Sequence, residues 1–210
     1  KVSDAVQDIL VEISDGDLPK LLQMYEKHKG WVPHVYSVIL TGIEWRKKKK
    51  EKYTTFLSPN SCWKEDGTFL VVLTHYSFDL FCFSLDDSGK NIYEGIKETN
   101  RFEADDCKDK ILFLYAIHNK FYPIVAKAVR EKGINLSIDD HCHMFSIPQE
   151  EALKFDTDFR CPPDVYIKQL DKSYANFINS IWPHRYEDSE IHRTFNRDER
   201  LLRSIFKINR

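Results

Sequence analysis

Glycine is scarce in this 210-residue chain, with only Gly16, Gly30, Gly42, Gly67, Gly89, Gly95 and Gly133, and no two of them are closer than six positions. That spacing excludes a Gly-rich turn able to cradle a pyrophosphate, because backbone N–H groups reach an anion closely only where side chains are missing. Cysteine is scarce too. Cys62, Cys82, Cys107, Cys142 and Cys161 are odd in number and form no CxxC pair, which argues against a disulfide scaffold and for reduced thiols in an intracellular protein. No apolar run approaches the ~20 residues of a membrane span. Charge of one sign is missing as well: the net charge is −2 and the pI about 6.5, so no global field draws the chain to nucleic acid or anionic lipid. There is no internal repeat. The first residue is Lys1 rather than methionine, so a leader upstream would not be seen and the chain reads as a trimmed piece. The expected compartment is the cytoplasm, with mitochondria as the alternative.

What is present is core-forming material. Hydrophobic residues make up 42% of the chain and aromatic residues 13%. A chain of this length buries roughly 70% of the surface its unfolded form exposes, so it needs no covalent staples.

The spacing of Val6, Ile9, Leu10 and Ile13 predicts a helix over 3–13. Leu18, Leu21, Leu22 and Tyr25, with Asp17 as cap and Gly30 as stop, predict a second over 17–29. The β-branched run Val35–Thr41 predicts a strand, and three more follow at Tyr53–Leu57, Thr68–Leu73 and Phe78–Leu85. The last of these alternates little and is expected to be covered on both faces. A helix near Ile92–Thr99, a buried strand at Ile111–Ile117, a helix from Phe121 to Gly133 with Pro123 in its first turn, and a strand at His141–Ile147 complete this part. The order αα, four strands, α-β-α-β predicts an α/β chain of the α+β type, with a mixed, mostly antiparallel sheet flanked by helices.

A domain boundary is expected at Pro162-Pro163, where consecutive prolines force an extended, donor-poor linker between residues 1–160 and 164–210. The pattern then restarts. Val165–Leu170 reads as a strand, Asp171 caps a helix carrying Ala175, Phe177, Ile178, Ile181 and Trp182, and a last helix carries Leu201, Leu202, Ile205 and Phe206.

Several constellations could carry chemistry. The run Arg46–Lys52 could grip nucleic-acid phosphates, but no aromatic or arginine-rich segment accompanies it; the simpler reading is a solvated turn at a hairpin end, and no nucleic-acid partner is expected. Asp139-Asp140-His141-Cys142-His143 places histidines at i and i+2, where a strand could present both to zinc; the simpler reading is an exposed strand face, and no metal is expected. A cysteine nucleophile could be Cys142 beside His143, or Cys82 or Cys107 with a distant base, but neighbours on a strand face opposite sides and Cys82 between phenylalanines reads as a small buried apolar residue.

The text after the boundary, Val165–Leu170, Ala175 with Ile178-Asn179, then Trp182-Pro183, resembles the start of the catalytic domain of glycine N-acyltransferase-like proteins of the GNAT superfamily, insect members among them. Gly67–Val72 followed by Phe81–Asp86 resembles the sheet of that family's N-terminal domain. A GNAT domain opens strand, helix, proline-marked loop, helix. The resemblance implies an N-terminal GNAT-like domain without its own active site, followed by the opening strand and two helices of a second GNAT domain. The implied activity is transfer of an acyl or acetyl group from acyl-CoA or acetyl-CoA to an amine or amino-acid acceptor. The alternative is a non-catalytic interaction or regulatory module. The family's coenzyme A motif, [RQ]xxGx[GA], does not occur here, so no cofactor-binding or catalytic residue is assigned, and its place is expected beyond Arg210 in a C-terminal continuation. The resemblance makes the loop after the first helix of the second domain an acceptor pocket, with Trp182 as a wall and His184 and Arg185 as polar contacts, Arg185 holding a carboxylate; otherwise Trp182 is core and the charges are solvated. Arg193, Arg197, Arg200 and Arg203 could grip the adenosine phosphates, although their spacing leaves most of them exposed.

Overall fold

The computed structural model describes residues 8–48, 54–74, 78–103, 112–136, 142–155, 162–163 and 170–181. The chain divides into two units, Lys1–Pro148 and Gln149–Arg210.

The N-terminal unit runs β1 (Leu10–Glu12), α1 (Leu18–Glu26), α2 (Pro33–Lys48), β2 (Thr54–Pro59), the single turn α3 (Trp63–Asp66), β3 (Phe69–Thr74), β4 (Phe78–Phe83), α4 (Lys90–Glu98), β5 (Leu112–Leu114) and α5 (Tyr122–Glu131). The strands lie side by side in chain order. Neighbours are antiparallel from β1 to β4, whereas β4 and β5 are parallel, with α4 on the crossover between them. This is the mixed, mostly antiparallel sheet flanked by helices that the sequence predicts.

Two glycines show where the helices press on the sheet. A Cβ on Gly42 of α2 would fall 2.3 Å from a ring carbon of Phe56, and one on Gly95 of α4 would fall 2.6 Å from Cγ of Pro59. Phe56 and Pro59 are three apart along β2 and so face opposite sides of the sheet. Helices α2 and α4 therefore cover opposite faces. On the α2 side Tyr25, Phe56, Phe69, Phe81 and Phe83 form one aromatic layer, with Tyr25 and Phe69 5.7 Å apart edge to face and Phe56 and Phe69 stacked at 6.1 Å. Sheet strands buried on both faces read as near-continuous apolar runs, which is why β3 and β4 show little alternation.

A polar seam crosses this core without loose ends. The Ser58 hydroxyl donates to the Thr68 carbonyl at 2.8 Å and accepts from the Trp63 N–H at 2.9 Å. The Tyr25 hydroxyl donates to the Gly67 carbonyl at 2.8 Å, and Gly67 itself holds φ 69°, closing α3 in the left-handed region that glycine adopts most readily. At the β1 edge, Asp8 accepts from the N–H groups of Leu10 (2.8 Å) and Asn100 (2.9 Å) and from the Thr99 hydroxyl (2.9 Å). Arg101 donates to the Leu10 carbonyl beside it.

Four expectations are corrected. The residues Leu10–Glu12 are a strand, not part of a helix over 3–13; residues 1–7 lie outside the described set. Val35–Thr41 lies inside α2, not in a strand. There Val32, Val35, Ile39 and Gly42 form a buried helical stripe, so the 3.6-residue period overrides the β preference of the branched residues. The Ile111–Ile117 strand is reduced to three residues and is not buried: Phe113 and Tyr115 are largely exposed beside the sheet edge. Residues 142–147 form no strand and are exposed throughout, while His141 lies outside the described residues.

The basic run is also not a hairpin turn where it is described. Arg46 to Lys48 are the last turn of α2, and Arg46 is 6% exposed, paired with Asp15, with Glu12 at 3.2 Å and with the Thr54 carbonyl. Residues 49–52 lie outside the described set.

In the C-terminal unit, α6 spans Gln149–Ala152, a 3-10 turn spans Lys172–Tyr174 and α7 spans Ala175–Ile181. Asp171 caps this last segment by accepting the Ser173 N–H at 2.8 Å. Of the expected boundary, Pro162 and Pro163 are described and exposed, while 156–161 and 164–169 are not, so the strand expected at Val165–Leu170 lies outside apart from Leu170. The last expected helix, over Leu201–Phe206, lies outside the described residues as well. Among the described residues no helix is long and apolar enough to cross a membrane.

Candidate functional site

The parallel pair β4 and β5 creates one distinctive place. Both strands deliver their carboxyl ends to the same rim of the sheet, and in sheets with parallel strands the crevice outside those ends is where loops assemble ligand sites. Three connections and one helix start converge here: α1 to α2 with Trp31, the first turn of α2 with His34, β4 to α4 with Asp87, and β5 to α5 with His118 and Lys120. The backbone leaves β5 through Ala116 at φ 50°, an uncommon conformation for a residue carrying a Cβ.

The imidazoles of His34 and His118 lie nearly parallel, with centroids 6.3 Å apart and planes at 16°. Phe83 meets both edge-on, at 6.2 Å from His34 and 5.8 Å from His118. Burial holds both imidazoles below the ordinary histidine range, reinforced at His34 by His118 and at His118 by the Lys120 ammonium. Nδ1 of His118 accepts the Lys120 N–H at 3.2 Å, which places the proton of the neutral ring on Nε2. Nδ1 of His34 is buried and has no hydrogen-bond partner, and among the described residues it is the only buried side-chain nitrogen or oxygen in that condition. The Lys120 ammonium lies 4.7 Å from the centre of Trp31, 5.0 Å from Phe83 and 4.5 Å from Phe121, a three-ring surround. Its carboxylate partner is Asp87 at 2.8 Å, whose side chain is 89% exposed.

The neighbouring turn, from β4 into α4, is the strand-to-helix connection where a coenzyme A pyrophosphate would need free N–H groups. They are taken. Leu85 N–H goes to the Asp66 carbonyl, Asp86 N–H to the Ser84 hydroxyl, Ser88 N–H to the Asp86 carboxylate, Gly89 N–H to the Asp86 carbonyl and Lys90 N–H to the Ser88 hydroxyl. The Ser88 hydroxyl and N–H together hold the Asp86 carboxyl below the usual carboxylate range, so the turn carries its own anion. The residues of this turn do not fit a pyrophosphate.

Most of the residues singled out from sequence lie outside the described residues. Trp182, His184, Arg185 and the arginines 193, 197, 200 and 203 lie outside the described residues, as do Cys107, Cys161 and Asp139–His141. Cys142 and His143 are exposed, and no group of three or more metal-capable side chains occurs among the described residues. Cys82 is fully buried and its thiol is pushed up to about 12 by burial, which makes it an inert core atom at neutral pH. Burial likewise pushes the half-buried Cys62 thiol up to about 11. The rim cluster was not found from sequence. Its members are spread from Trp31 to Lys120, and only the local signals Pro33-His34 and His118-Asn119-Lys120, each beside a helix start, mark it.

Comparison with known proteins gives three results. No curated protein matches the chain. Among solved structures it is similar to the crystal structure of a Drosophila protein, with a TM-score of 0.70 and 16% identity over 90% of this chain and 67% of that one. At that identity the likeness shows the α/β fold alone. Residues 9–128, more than half of the chain and nearly all of β1 to α5, match the family described as "Domain of unknown function (DUF5645)", and the chain belongs to that family.

Proposed function

We propose that this chain supplies the N-terminal GNAT-like unit and the opening of the catalytic domain of an acyl-CoA-dependent N-acyltransferase. The enzyme would move an acyl or acetyl group from a coenzyme A thioester to an amine or amino-acid acceptor. The observation that carries the reading is the order of elements. Strand β1, helix α1, then α2 opened by Pro33 reproduce the strand, helix, proline-marked loop, helix opening of a GNAT domain, and a mostly antiparallel sheet flanked by helices follows.

In such an enzyme a neutral amine attacks the thioester carbonyl, backbone N–H groups stabilise the oxyanion, and the coenzyme A thiolate leaves. The occupied β4–α4 turn supports a division of labour in which the N-terminal unit does not bind the cofactor. The test has two arms. Titration of the 210-residue chain with acetyl-CoA in a calorimeter is expected to give no saturable heat; micromolar binding would move the cofactor site into this chain. Native protein isolated from its source is expected to release coenzyme A thiol from acyl-CoA only when an amine acceptor is supplied. If no donor and acceptor pair in a broad panel is turned over, the second reading replaces the first. That reading is a non-catalytic GNAT-like interaction or regulatory module, and it is favoured by the same self-satisfied turn.

A further inference from the structure

We propose that the rim at the carboxyl ends of β4 and β5 is a binding site for a small monocarboxylate with an apolar or aromatic body, held by Lys120, His34, His118 and Trp31 in place of Asp87. Four observations converge on that chemistry.

The first is the charge. Lys120 is the cation of the cluster, and its salt-bridge partner is a single carboxylate on a loop, 89% exposed. An exposed ion pair of this kind contributes little to stability, so another carboxylate can take the place of Asp87 at small loss. Asp87 thus marks the position a ligand carboxylate would take.

The second is the leftover hydrogen-bonding capacity. Buried polar atoms in folded proteins are nearly always paired, and an orphan needs an explanation. Nδ1 of His34 is such an orphan, stacked against the second imidazole, whose Nε2–H is a donor by the hydrogen bond at its other nitrogen. Both rings are held neutral, so they offer hydrogen bonds without adding charge.

The third is the apolar wall. Trp31 is 56% exposed yet packs on His118 at 6.1 Å, leaving indole surface open beside the ammonium. Aromatic surface next to a cation suits a ligand with a flat or apolar body and one anionic end.

The fourth is what the rim repels. Asp86 and Asp87 sit on the adjoining turn, where the N–H groups of Asp86, Ser88, Gly89 and Lys90 already have acceptors. A phosphate or pyrophosphate in the place of Asp87 would bring more than one negative charge to a single lysine with the Asp86 carboxylate beside it, so the site favours a single negative charge. This inference does not rest on the acyltransferase reading, because it needs no coenzyme A and no acyl transfer.

Benzoate is the probe, and the readout is the imidazole NMR resonances of His34 and His118 in the 210-residue chain at neutral pH. Both resonances are expected to shift saturably with millimolar benzoate, and inorganic phosphate at the same concentration is expected to leave them in place. Lys120→Met retains an apolar stem against the three rings and should weaken binding at least tenfold. Asp87→Asn removes the competing carboxylate and should tighten binding severalfold, a gain that a purely structural role for Asp87 does not produce. The proposal is overturned if benzoate shifts neither resonance, if phosphate shifts them as strongly, or if Asp87→Asn fails to tighten binding while its melting temperature stays that of the unaltered chain.

Discussion

The two ends of the sheet treat half-buried polar groups in opposite ways. At the β1 edge, Asp8 takes two backbone N–H groups and the Thr99 hydroxyl, and Arg101 covers the Leu10 carbonyl next to it. Burial alone would raise the Asp8 pKa, but those hydrogen bonds and the Arg101 charge outweigh it and hold the carboxyl below its usual range. At the β4–β5 rim, one imidazole nitrogen has no partner and a lysine leans on a nearly free aspartate. Groups closed on themselves fix structure; groups left open are available to something else. The contrast separates the part of the unit that holds the fold from the part that has capacity to spare.

Three substitutions break or sharpen that contrast. The largest effect is expected at the closed end. Gly95→Val drives a branched side chain into Pro59 and Leu10, where even a Cβ would fall 2.6 Å and 3.1 Å from side-chain carbons. Overpacking of this severity should destabilise the unit by about 3 kcal/mol, measured by urea unfolding. Next comes Asp8→Ala, which strands two N–H groups and a hydroxyl at the β1 edge and should cost about 2 kcal/mol at pH 7. Because the folded Asp8 pKa is lowered, its contribution is complete above the unfolded value and is lost only as pH falls through the folded one, so wild type and variant converge in strong acid.

The smallest effect belongs to the open end. His34→Leu removes an orphaned nitrogen and should change stability at pH 7 by no more than about 1 kcal/mol, toward greater stability. Its signature lies in the pH profile. The folded pKa of His34 is below the unfolded value near 6.5, so wild-type stability is full above that pH and declines as pH drops toward the folded pKa. The His118 ring, shifted the same way by burial and by Lys120, adds to the decline. His34→Leu should flatten part of the fall in melting temperature between neutral pH and pH 5, whereas Asp8→Ala should leave that interval unchanged. If His34→Leu costs as much as Asp8→Ala, the two ends do not differ in kind.

How much of this was legible in the sequence depends on length and burial. Strands β2 to β4 and helices α1, α4 and α5 stand close to where the residue pattern puts them, because each carries its apolar residues at the spacing of its own period or in a near-continuous run. The failures occur where a segment is short or its signals conflict. A three-residue strand such as Leu10–Glu12 has no period of its own, and Val6, Ile9 and Ile13 lend it a helical one. Val35–Thr41 has the composition of a strand and the spacing of a helix, and burial of Val32, Val35 and Ile39 on one face decides for the helix. The site was less legible than the fold. Trp31, His34, Asp87, His118 and Lys120 are each ordinary in their own sequence context, and only the parallel return of β5 beside β4 brings them to one rim.

Gly42 against Phe56 and Gly95 against Pro59 also bear on how the family can diverge. Each contact joins an absent side chain on a helix to a bulky one on β2, and the two sit on opposite faces of one six-residue strand. Neither partner of a pair can drift alone: a larger residue at 42 or 95 requires a smaller one at 56 or 59. These two pairs should therefore covary among related sequences.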